Sequence, residues 1–235
     1  MNKKATIIHH QGFGDLFTNN PVCNYYSNLY KELTIFVLDE SRKIVVEEMY
    51  KHKDNIKCVI PKFINQNKYN SSCLICMQSD RYSCRNDSRF NSHIFVDYSE
   101  CSDCDNIKIG CFKENYELWK SFLHKNMGDN VSFSHSFYLF ENLDLKVRET
   151  EFSVYRDNNC ENKKYELLPE KDYIVLHDDS QRGLNINKSK IPNDIYIHQL
   201  NGSSKTMVDQ IKILENAKEI HFIDSSYSVL IYFLS

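Results

Sequence analysis

No run of apolar residues in this 235-residue chain approaches the roughly eighteen that a membrane-crossing helix requires. There is no basic surplus either. Lys and Arg total 29 against 32 Asp and Glu, a formal net charge of -3, so nothing global draws the chain to nucleic acid or anionic lipid. No charged-then-apolar leader opens it, since Met1 to Ala5 runs straight into Thr6-Ile-Ile, and the expectation is a cytoplasmic protein. In that reducing compartment the nine cysteines are expected to be mostly free thiols or metal ligands rather than disulfides. What remains is ordinary globular composition, 41% hydrophobic and 26% charged.

The first sixty residues alternate. A β-type run over 5–10 leads into Gln11-Gly-Phe-Gly-Asp15, and Asn20-Pro21 marks a helix start. Val22, Tyr25, Tyr26, Leu29, Tyr30 and Leu33 then recur at helical spacing. A strand over 34–38, a helix over 41–51 and a strand over 56–60 complete a β-α-β-α-β pattern, which predicts a parallel sheet. Gly12 and Gly14 let the backbone turn and approach a ligand, but the third glycine of a dinucleotide fingerprint is replaced by Phe17. His9, His10 and Asp15 all fall at the carboxyl end of the first strand, where such sheets bind ligands. Asp15 fits two roles, a carboxylate that takes a proton from a hydroxyl or a helix cap.

Residues 62–111 break the alternation with an insertion rich in Asn, Ser, charge and cysteine. Cys73 and Cys76 form one C-x-x-C pair, trailed by Cys84, and Cys101 and Cys104 another, trailed by Cys111. The outline is that of a zinc site, but 24 residues separate the pairs, more than the roughly 15 to 20 of a zinc ribbon. Scattered thiols are the competing reading. Helical stretches follow over 112–127 and 133–143, their aromatics spaced as core. The charged segment 145–162 suits a solvated helix or a connection, placing a boundary near Tyr165 and two lobes at 1–164 and 165–235.

The second lobe begins with a strand over 172–177 and a loop Asp178-Asp-Ser-Gln-Arg-Gly183. There Arg182 beside Gly183 is suited to a phosphate, or to pairing with Asp178 or Asp179. After a strand over 195–198 and an amphipathic helix over 205–217, a buried strand over 221–223 meets Asp224, Ser225 and Ser226 at the start of an apolar helix. Amides at a helix start have no partner within the helix and lie at its positive end, so Ser225 to Tyr227 form a candidate phosphate cradle as well as an ordinary cap.

Gly12-Phe-Gly-Asp15, His177-Asp-Asp-x-x-Arg-Gly183 and Asp224-Ser-Ser-Tyr227 together resemble the GT-B glycosyltransferases. The likeness is to the heptosyltransferase-like (ADP-heptose:lipopolysaccharide type) group and to related sugar transferases of large DNA viruses. The resemblance implies two Rossmann-like lobes and a metal-independent transfer of sugar from a nucleotide-diphosphate donor to a hydroxyl acceptor, in the host cytoplasm if viral. It implies Asp15 as catalytic base, and Gly12, Gly14, His177, Arg182, Gly183, Asp224, Ser225, Ser226 and Tyr227 against the donor. Val229 stands where that group carries a histidine, and the second lobe is short. Hence the competing expectation is a catalytically inactive nucleotide-sugar-binding or interaction module, with Cys73, Cys76, Cys101 and Cys104 as a structural zinc site.

Overall fold

The computed structural model describes residues 3–9, 12–60, 104–109, 133–178, 183–200, 207–223 and 225–234, with short pieces at 63–64, 71–73 and 95–97 and the single residues 121 and 125. The architecture is mixed α/β with two parallel sheets, consistent with a Rossmann-like class. The first sheet contains β1 (Lys4–His9), β2 (Glu32–Phe36), β3 (Ile56–Val59) and β7 (Cys104–Ile109), in the order β3-β2-β1-β7 and all parallel. Three short strands, β4 (Phe63–Ile64), β5 (Ser71–Cys73) and β6 (Phe95–Asp97), pair antiparallel between β3 and β7.

The expected insertion ends early. Residues 104–109, assigned above to the insertion, are the fourth strand of the parallel sheet. Ile107 and Ile109 enter the core, and Thr6 on β1 donates a 2.5 Å hydrogen bond to its register partner Asn106. The alternation of Ile107 and Ile109 was the available signal, hidden by the polar residues around it.

Helices α1 (Phe13–Thr18), α2 (Asn20–Leu29) and α3 (Glu40–Met49) connect the first three strands. The buried face of α2 is not the tyrosine stripe that spacing predicts. Asn20, Val22, Cys23, Asn24 and Ser27 are buried, Tyr25 and Tyr26 are half-buried, and Leu29 is exposed. The reason is a hydrogen-bond demand. The Asn20 and Asn24 amides donate to the carbonyls of Glu151 and Ser153 at 2.9–3.0 Å, and Asn20 accepts from the Ser153 amide. Buried backbone groups outside regular structure require such partners, so polar side chains take core positions.

Beyond β7 come α4 (Phe133–Phe140), α5 (Lys146–Thr150) and α6 (Asn158–Glu166). Apart from Ser121 and Lys125, both helical, the helix expected over 112–127 lies outside the described residues. The charged segment 145–162 is more buried than its composition suggests. Glu161 is 1% exposed, its carboxylate accepting from Arg156 and from the Lys212 amide, while Arg156 also pairs with Glu215. Tyr165 therefore falls inside a helix anchored on the elements that follow it, with Asp157 as the N-cap, accepting from the Asn159 and Cys160 amides.

The second sheet is β8 (Tyr173–His177), β9 (Tyr196–Gln199) and β10 (Glu219–Phe222), in the parallel order β10-β8-β9. All five β8 residues are buried, as a central parallel strand requires. In place of the single helix expected over 205–217, a 3-10 turn (Val208–Gln210) leads into a short α7 (Ile211–Glu215). Helix α8 (Ser226–Leu234) follows β10 and packs on α1 of the first sheet. One continuous core accordingly joins Ile7, Phe17 and Val37 to Tyr173, Val175, Tyr227 and Leu230. The other face of β8 closes a smaller cluster of Ile174, Leu176 and Ile191.

Candidate functional site

Each sheet has a point where connections leave a central strand in opposite directions, and crevices beyond the carboxyl ends at such points receive ligands in α/β folds. In the first sheet β1 lies between β2 and β7; in the second, β8 lies between β9 and β10. Gly12 to Asp15 follow β1, Gly183 follows the loop after β8, and Ser225 to Tyr227 follow β10. The two turns at the starts of α1 and α8 meet. A Cβ placed on Gly14 would lie 3.4 Å from Val229 Cγ2 and 3.7 Å from Ser226 Cα. Two helices whose strands belong to different sheets thus pack side by side at Gly14, with space there for no more than a Cβ.

The α1 turn is closed by its own residues. Asp15 Oδ2 accepts the Gly12 amide at 3.1 Å, Thr18 Oγ1 donates to the Gly14 carbonyl at 3.1 Å, and the buried Asn19 amide donates to the Asp15 carbonyl at 2.8 Å. Among the described residues, Asp15 Oδ1 has no hydrogen-bond partner. Burial pushes the Asp15 carboxyl up to about 6, against the opposing pull of the Gly12 amide and the Arg42 guanidinium. Such an acid is largely ionised near neutrality yet basic enough to take a proton from a hydroxyl. Arg42 comes from the first turn of α3, after β2. Its guanidinium pairs with the N-cap carboxylate of Asp39 and lies 5.2 Å from the centre of the Phe13 ring. Sequence reading passed over Arg42, although it stands at the strand-end position that drew attention to Asp15.

The α8 turn is organised differently. Ser225 accepts the Ser228 and Val229 amides at its carbonyl, and its own amide donates to Ser228 Oγ at 3.2 Å. Ser225 Oγ is buried without a partner, Ser226 Oγ touches Met207 Sδ at 3.7 Å, and the Ser226 and Tyr227 amides have no acceptor among the described residues. Those donors are the chemistry an oxyanion uses at a helix start.

The other donor-side expectations divide. His177 is buried and its Nδ1 donates to the Leu200 carbonyl at 3.3 Å, with its ring 4.9 Å edge-on from Tyr227. Tyr227 is 2% exposed, and burial pushes its hydroxyl up to about 12. Both side chains therefore support the β8–α8 junction from within, and only the Tyr227 amide faces the helix start. Asp178 accepts the Ile186 amide at 2.7 Å and pairs with Lys188, shaping the loop in which Gly183 has a φ of 70°. Arg182, Asp224 and His10 lie outside the described residues.

Of the cysteines, Cys23, Cys58 and Cys160 are free thiols, and burial pushes Cys23 and Cys58 up to about 12. Cys104 departs from the expected free thiol: it is disulfide-bonded, and a sulfur so committed offers no thiolate to a metal. Cys76 and Cys101, and the side chain of Cys73, lie outside the described residues.

Two depressions occur elsewhere. One, of about 500 Å³, is bordered by Val46, Tyr50, Lys57 and Val59; the other, of about 580 Å³, by Arg156, Glu161, Lys212 and Glu215. Neither touches Asp15 or Ser226. The charged groups of the second already satisfy one another, so the unpartnered donors of α8 identify a site better than either hollow. Comparison with known protein families, curated proteins and solved structures finds no match.

Proposed function

We propose that this chain is a sugar transferase of GT-B type, with one Rossmann-like lobe on each parallel sheet and the Cys-rich insertion in the first. It moves a sugar from a nucleotide-diphosphate donor to a hydroxyl acceptor without a metal. The diphosphate takes the amides of Ser226 and Tyr227, with Arg182 of the loop after β8. Asp15 receives the acceptor proton through Oδ1 as the hydroxyl oxygen attacks the sugar and the diphosphate leaves. Donors fixed at the leaving diphosphate stabilise the charge that develops there. The observation that supports this reading is the approach of Gly14 to Ser226 and Val229: the residue beside the raised acid Asp15 lies against a helix start of the other sheet that has unpartnered donors. Because Gly14 touches Val229, the donor lies beside that contact rather than through it.

Two features favour a second reading, a nucleotide-sugar-binding module without turnover. Asp15 is engaged with Gly12, and Val229 offers no donor to the diphosphate. A panel of nucleotide sugars, assayed for binding by thermal shift and for release of nucleoside diphosphate with and without hydroxyl acceptors, separates the two. Turnover abolished in Asp15→Asn supports the transferase. Binding without turnover, indifferent to Asp15→Asn, supports the module, and no binding of any donor contradicts both.

A further inference from the structure

At the far end of α8 from the proposed diphosphate site lies a buried cation without a carboxylate. Arg148 is the third residue of α5 and is 9% exposed. Its Nη1 hydrogen-bonds His135 Nε2 on α4, its guanidinium carbon lies 4.0 Å from the centre of the Tyr232 ring and 5.4 Å from that of Phe233, and its Nε has no partner. No ion pair joins Arg148 to Asp or Glu among the described residues. Contrast Arg156, less buried, which holds two carboxylates.

A guanidinium taken out of water requires compensation, and buried charges are normally paired. Aromatic faces supply part of it. His135 supplies a lone pair, not a charge; as acceptor from Arg148 it carries its proton on Nδ1, and burial together with the Arg148 charge lowers its proton affinity. The geometry points to Arg148, framed by His135 and Tyr232, as a binding site for a single carboxylate group of a small ligand. One carboxylate cancels one guanidinium and matches its planar fork. A phosphate dianion would leave excess buried negative charge unless His135 also took a proton. Tyr232, 54% exposed, lies over the guanidinium and is the element a ligand displaces to reach it.

The experiment uses the full chain and acetate as the probe. The Arg148 Nε–H signal, assigned by its loss in Arg148→Met, is followed as sodium acetate replaces sodium chloride at constant ionic strength. The expected result is a saturable shift of that signal with a rise in melting temperature, the rise being lost in Arg148→Met and retained in Ser226→Ala. If Arg148→Met does not fold, Arg148→Lys replaces it, keeping the charge but not the fork, and the acetate response weakens at least tenfold. A Nε–H signal that acetate leaves in place, or a thermal response that survives the loss of Arg148, overturns the proposal. Inorganic phosphate provides the second arm. It should move the Ser226 and Tyr227 amides and leave Arg148 alone; phosphate moving Arg148 as strongly as acetate overturns the assignment to a carboxylate. The two arms report opposite ends of α8, so this site and the diphosphate site fail independently.

Discussion

The turn after β1 and the turn after β10 are built on one plan, strand to polar turn to helix, and differ in where their polar groups point. In the first, the Asp15 carboxylate, the Thr18 hydroxyl and the Asn19 amide all return to backbone atoms of the same turn. In the second, Ser228 Oγ closes the turn on Ser225, while the Ser225 hydroxyl and the Ser226 and Tyr227 amides have no partner among the described residues. The α1 start carries an acid tied to its own cap amide, whereas the α8 start has no acid in its first turn and leaves its amides as a receptor for an anion. The approach at Gly14 brings the two helix starts side by side.

Substitutions at the two turns sharpen or break this contrast. The largest expected effect is on turnover: Asp15→Asn should lower the transfer rate by about 10²–10⁴-fold, the usual contribution of a positioned base, while leaving donor affinity within about twofold. A parallel loss of affinity would show that Asp15 holds the donor instead.

The same substitution has an opposite effect on stability. The Asp15 carboxyl rises from 3.8 to about 6 on folding, so between those values the folded state binds more protons than the unfolded. Stability then falls as pH rises through that window, and the loss is complete above it, on the order of 2–3 kcal/mol. Asparagine can still accept the Gly12 amide but carries no charge. Asp15→Asn should therefore be more stable than wild type at pH 7 by about 2 kcal/mol and lose this pH dependence, as denaturant melts at pH 4 and pH 7 would measure.

At the contact itself, Gly14→Val should cost about 1–3 kcal/mol, because branched carbons would meet Val229 where only a Cβ fits. Gly14→Ala should be neutral or stabilising by less than about 1 kcal/mol, since the position is helical and its Cβ would make ordinary contact. If valine is as harmless as alanine, the two helices are not in contact. Ser226→Asp places a like charge at the receptor and should weaken nucleoside-diphosphate binding at least tenfold, about 1.4 kcal/mol, with little change in melting temperature.

The parallel alternation of strands and helices and the positions of both turns were legible in sequence where apolar runs and turn residues alternate cleanly, as from Thr6 to Val59 and from Tyr173 to Phe222. The fourth strand of the first sheet was not, because among its described side chains only Ile107 and Ile109 are buried in the core. Nor was the buried face of α2, where Asn20 and Asn24 serve carbonyls more than a hundred residues away. Periodicity reports apolar burial and is silent about polar side chains drawn inward by distant backbone. The same blindness hid Glu161 and Arg148, both read as solvated charges. For His177 and Tyr227 the sequence says nothing of orientation, and only coordinates show that both rings pack inward against one another.

The most direct test is a nitrogen-15 chemical-shift titration of the full chain with ADP and with UDP. The account predicts the largest shifts at the Ser226 and Tyr227 amides, with Gly14 moving in concert from the opposite sheet. Shifts confined to the Arg156–Glu215 depression, or none at Ser226 and Tyr227 at saturating nucleotide, would contradict it.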